Sequence, residues 1–265
     1  MSARPEPPGA VGPIAGLRAR LDGVADGCGA IVAVARLAVR PTTWRRPVRA
    51  EFLRVLDALA RCTGLTAAAA ALVGISLVGQ GLYWTERAGD EVDLAGIIAR
   101  ILVREIAVVA TALLLIGRVG LGMLTELRTL TRGGVIRQYA RQGVDPFLLF
   151  VVPRVLAFPA MLFCQALLFL LVAFAVGYLL ARGVGVTTDD PVTFMAWALA
   201  AIGDHGALIL PLKALLVGVS TATVLCVQGL APPAIDRDAR TAYRSSFGPL
   251  MLAAVLPNVL VSLSL

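Results

Sequence analysis

The chain has 265 residues, of which 58% are hydrophobic and only 15% charged, with a mean hydropathy of +0.83. That is far beyond an ordinary soluble domain and reads as an integral membrane protein. The net charge of +7 is almost wholly arginine, Lys213 being the only lysine, and the arginines flank apolar runs instead of forming a soluble basic face. This argues against nucleic-acid binding.

In chain order, residues 1–16 ("MSARPEPPGAVGPIAG") are rich in Pro, Gly and Ala and predict a disordered tail without the layout of a signal peptide. Residues 17–62 predict interfacial amphipathic helices. The apolar run Cys28–Val39 holds only about a dozen residues, includes Arg36, and is too short to span a bilayer. In "WRRPVRAEFLRVLDALARC", Phe52, Leu53, Leu56, Leu59 and Ala60 recur at helical spacing, with Arg49, Arg54, Asp57 and Arg61 mostly elsewhere on the wheel. Residues 63–265 form the spanning domain. A helix crosses the hydrocarbon core with about 20 apolar residues, and five segments qualify: 63–84, 95–117, 159–181, 206–228 and 246–265. The expected class is thus an all-α integral membrane protein with an amphipathic interfacial helix and five transmembrane helices.

Orientation follows from arginine bias. Arg45, Arg46, Arg49, Arg54 and Arg61 precede span one, whereas the next link, "TERAGDEVDL", has one arginine and four acids. Arg118, Arg128, Arg132, Arg137 and Arg141 follow span two; Arg182 stands with Asp189, Asp190 and Asp204 after span three; Arg237, Arg240 and Arg244 follow span four. The alternation predicts a cytoplasmic N-terminus and a C-terminus on the far side.

Span two, "ILVREIAVVATALLLIG", carries Arg104 and Glu105 roughly 15 Å deep, near the midplane. Either charge would cost about 2.5–3.5 kcal/mol facing lipid. Neighbours in sequence point about 100° apart, so they do not simply neutralise each other. Arg100 lies one turn outward on the face of Arg104, and Lys213 sits in the outer half of span four, just after Pro211. Two readings stay open: a wet interior cavity for a polar or amphiphilic cargo, or snorkelling cations with Glu105 on a structural partner. Gln80, Tyr83 and Trp84, at the outer end of span one, join the candidate lining.

The link "RVGLGMLTELRTLTRGGVIRQYARQGVDP" is too patterned for a passive turn. Leu124, Leu127 and Leu130 recur helically, Gly133 and Gly134 break the run, Val135, Ile136 and Tyr139 resume it, and "GVDP" stops it. This predicts a cytoplasmic helix that either docks a soluble partner or lies flat on anionic lipid. Glu126, Arg128, Arg132, Arg137, Arg141 and Asp145 are its candidate coupling residues. The four cysteines are scattered and read as small apolar residues. His205 is the sole histidine, with no catalytic or metal-ligand set beside it in the apolar spans. No phosphate-binding loop of the G-x-x-x-x-G-K-[ST] kind is present, so ATP hydrolysis would belong to another subunit.

"REIAVVATALLLIGRVG", then "TEL", "GVDP" with Pro153–Arg154, Lys213, and Gln228–Gly229 together resemble the MlaE-type permeases, membrane subunits of ABC lipid transporters that work with MCE-domain proteins. The resemblance implies a permease dimer, a cytoplasmic ATPase dimer carrying the ATP and Mg, and a hexameric periplasmic MCE protein as the phospholipid conduit. It also implies a bacterial inner-membrane location, no cofactor and no catalytic or metal site in this chain, a cytoplasmic coupling helix after span two, and Arg104, Glu105 and Lys213 facing the lipid cavity. Against the family pattern, "REIAV" lacks Gly and Pro, the coupling segment is basic and broken by glycines, and an aspartate common in the last span is replaced around "LPNVL". The expected function is the permease subunit of an ATP-driven phospholipid transporter. The rivals are a secondary transporter using Glu105 with Asp204–His205 as a proton relay, and a divergent subunit that only anchors partners.

Overall fold

The computed structural model describes residues 46–88, 94–143, 145–185, 190–202, 206–230 and 239–264. The predicted tail, the stretch up to residue 45, and Asp204 and His205 lie outside them. Among the described residues every regular element is helical, and five stretches are long and apolar enough to cross a membrane: Arg46–Gly81, Ile97–Arg132, Phe147–Gly183, Leu208–Leu230 and Ser246–Leu263.

Helix α1 (Arg46–Ala60) is amphipathic: Val48, Val55 and Leu59 recur on one face and are buried, while Arg46, Arg49 and Asp57 are exposed. A turn at Arg61–Cys62 ends it, and the Thr63 hydroxyl donates to the Ala60 carbonyl as α2 (Thr63–Ala88) begins. The second span is a single line of helix. It comprises α3 (Leu94–Ile101), a wide π turn at Leu102–Ile106, α4 (Ala107–Leu115), a second π turn at Ile116–Gly120, and α5 (Leu121–Arg132). The segment expected to couple to a partner therefore continues span two without a break. It ends at Gly133–Gly134, where Gly134 takes φ +71°, a conformation that suits glycine. Helix α6 (Val135–Arg141) follows.

The third span starts earlier than its apolar run. The Asp145 carboxylate accepts from the Phe147 amide at 2.9 Å, a π turn covers Phe147–Val151, and α7 (Val152–Gly183) continues through Pro159. Proline inside a spanning helix is tolerated when neighbours cover the freed backbone. Gly218 packs directly on this proline: a methyl group at 218 would overlap the Pro159 backbone. Helix α8 (Pro191–Ile202), which the sequence reading did not anticipate, packs on α3 and α7, with the Phe194 ring 5.2 Å from that of Tyr178. Helices α9 (Gly206–Leu230) and α10 (Ala239–Ser264) complete the bundle.

Helix α7 is the centrepost, contacting α1, α2, α4 and α9, with Phe158, Leu162, Ala166 and Phe169 almost fully enclosed. Small residues permit the closest contacts, since water-driven burial is absent between helices in lipid. Gly74 lies against the Ala173 backbone, and Gly229 against the Leu127 side chain.

Candidate functional site

Two groups of charges lie inside this bundle, each built on one nearly inaccessible cation. The first forms where α3 meets α9 and α10. Lys213 is 1% exposed, and its ammonium donates to the Arg104 carbonyl (2.5 Å), Glu105 Oε1 (2.9 Å) and Ser262 Oγ (2.5 Å). An ammonium has three donors, and all three are used. Glu105 Oε1 also lies 2.5 Å from Ser262 Oγ, and Asn258 Nδ2 donates to Glu105 Oε2 at 2.8 Å. The Ser262 hydroxyl lies 2.8 Å from the Asn258 carbonyl as well, so its single hydrogen serves one of two acceptors.

The local backbone explains the placement. Arg104 and Glu105 occupy the π turn, where the Ala107 amide reaches back to the Leu102 carbonyl. Such a turn widens the carbonyl ladder, and π turns concentrate at functional sites. The widened turn presents a backbone oxygen to Lys213 on the face where Glu105 meets the same amine. Glu105 thus pairs across the bundle with α9 and α10, not with Arg104.

The carboxylate is not sealed. The Glu105 side chain is 39% exposed, and it borders a cavity of about 320 Å³ lined by Ile97, Arg100, Ile101, Arg104, Glu105 and Ser262. The Arg104 guanidinium has no hydrogen bond or ion pair among the described residues and is partly exposed at this wall. Ile97 and Ile101 present apolar side chains beside it. The arrangement can bind an amphiphile: a cation for an anionic group and hydrocarbon for a chain.

Of the residues singled out from sequence, Arg100, Arg104, Glu105 and Lys213 come together here. Gln80 and Tyr83 are exposed on α2 and do not line the cavity; the Trp84 side chain lies outside what the structure describes. Ser262 and Asn258 were missed, although the "LPNVL" departure marked the position of Asn258.

The second group lies where α1, α5 and α7 converge. Arg154, 1% exposed, reaches Glu51 at 3.0 Å and Glu126 at 3.2 Å, and donates to the Phe150 carbonyl at 2.8 Å. Arg54 donates to both oxygens of Glu51 at 2.8 Å and to Glu126 at 2.6 Å. Two guanidinium groups and two carboxylates form a closed ring joining three helices. Nearby, Arg128 donates to Ser246 Oγ (2.7 Å) and the Gln228 carbonyl (3.4 Å), tying α5 to α9 and α10. Glu126 and Arg128 thus face internal partners, Asp145 is exposed and caps the start of the third span, and Arg132, Arg137 and Arg141 are exposed. The ring partners Glu51, Arg54 and Arg154 were missed as site residues. A lone arginine inside "FLLFVVPRVLAF" was the available signal.

A helical bundle with five stretches long and apolar enough to cross a membrane, and a half-open, cation-walled cavity on the second, fits a membrane permease. The family model of the MlaE permease matches residues 54–263, which takes in the first charge group whole and all of the second but Glu51. The chain belongs to the MlaE permease family, as a transport subunit and not an enzyme. No curated relative matches it.

Proposed function

We propose that this chain is the permease subunit of an ATP-driven ABC transporter that moves phospholipid between the bacterial inner membrane and a periplasmic MCE-protein conduit. It would work as a dimer, with a cytoplasmic ATPase dimer holding ATP and Mg and a hexameric MCE protein outside. In this reading the N-terminus lies in the cytoplasm and the C-terminus at the periplasmic face, which the arginine alternation supports. The observation that carries the reading is the family match over residues 54–263, together with a cavity at the second span whose wall sets arginine beside apolar side chains.

The geometry supports a route for the motion. Helix runs from Leu94 to Arg132 with only π turns in it, so the ATPase-facing end and the cavity wall share one element. Residues 104 and 126 are about 33 Å apart along it. ATPase closure pushes on α5 and α6 through Arg132, Arg137 and Arg141; the line of helix shifts, and the cavity wall at Arg104 moves against α9 and α10. Glu126 and Arg128 couple the same push to α1, α7 and α10, and Asp145 holds the start of the third span. In the cavity, Arg104 attracts the lipid phosphate.

Native mass spectrometry of the complex purified from its own membrane tests the reading. An ATPase and an MCE protein should be retained. A permease that comes off alone, while still carrying lipid across vesicles under a proton gradient, replaces this reading with a secondary transporter.

A further inference from the structure

The cavity wall carries a charge balance that bears on headgroup class. Resting on the lipid-cavity reading above, we propose that the site takes amphiphiles with a net negative headgroup and discriminates against zwitterionic ones.

A zwitterionic lipid brings both a phosphate and an ammonium, and a selective site for it needs an anion for each cation. Among the described residues, the only acid on this wall is Glu105. Its charge is already compensated by Lys213, and three of its roughly four acceptor positions are taken by Lys213, Ser262 and Asn258. An incoming ammonium would have to displace a lysine that is itself buried and fully bonded. The Arg104 guanidinium, by contrast, has all five donors unengaged among the described residues and stands beside Ile97 and Ile101, where the dielectric is low and a charge-assisted bond is strong. Anions are bonded there and ammonium groups repelled. Asn258, a neutral donor to Glu105, adds no negative charge that would change the balance.

The test uses the full chain in bilayers of equimolar phosphatidylglycerol and phosphatidylcholine with identical acyl chains. A photo-crosslinking residue is placed at Ile101, on the cavity wall, and in a second protein at Leu171, an exposed position on α7 that reports surrounding lipid. The glycerol-to-choline labelling ratio at 101 should exceed that at 171 by about tenfold, the factor one charged hydrogen bond supplies. Arg104→Gln should lower the ratio at 101 to that at 171, and Arg104→Lys should retain it. Equal ratios at the two positions, or a ratio that Arg104→Gln leaves intact, overturn the headgroup preference while the lipid cavity stands. Absence of any labelling at 101 overturns both.

Discussion

The two buried cations, Arg154 and Lys213, are equally inaccessible at 1% exposure, yet they sit in opposite kinds of surroundings. Around Arg154, Glu51 and Glu126 each engage two arginines, so the ring is closed and knits α1, α5 and α7. Around Lys213, the acid is half-open to a cavity and the Arg104 guanidinium stands spare on its wall. Burial of a charge therefore does not identify a binding site here. What separates fastening from binding is whether the charges cancel within the protein.

Substitutions can break this contrast. Arg154→Met leaves Glu51 and Glu126 each with Arg54 alone; because Arg54 and Glu126 keep contact with solvent, the loss should fall at the low end for a broken buried pair, about 3 kcal/mol, and the detergent-solubilised protein should melt well below wild type. A melting point close to wild type would mean the ring is decorative. Lys213→Met should cost less, about 1–3 kcal/mol, because Glu105 can hydrate from the cavity. The freed carboxylate should also let phosphatidylcholine compete better for the wall, read by crosslinking at Ile101. Equal losses for the Arg154 and Lys213 variants would erase the distinction. Arg104→Gln should change the melting temperature least, by about 0.5 kcal/mol or less in stability, since its guanidinium holds no other element. A large loss there would place Arg104 among the fasteners.

Composition and apolar periodicity made the all-helical membrane class and five spanning stretches legible, because lipid demands long uninterrupted runs. The odd ions in those runs, Arg104, Glu105 and Lys213, were legible for the same reason. Their partners were not. Ser262 and Asn258 are ordinary residues in an apolar helix more than 150 positions from Glu105, and only the packing of α10 brings them to it. The sequence likewise put Glu126 and Arg128 among the coupling candidates but could not say that α1, α7 and α10 supply their partners. Helix α8 escaped because its apolar run is too short for a span, and the π turns because widening by one residue leaves no compositional mark.

A chain with a single lysine, sealed at the heart of its bundle, carries its own silent reporter. Side-chain acylation by a small membrane-permeant ester has one address, and it is shut while Glu105, Ser262 and the Arg104 carbonyl surround the amine. Any working cycle that parts the second, fourth and fifth spans will expose it. Modification kinetics at this one atom then time the opening of the machine without an engineered probe.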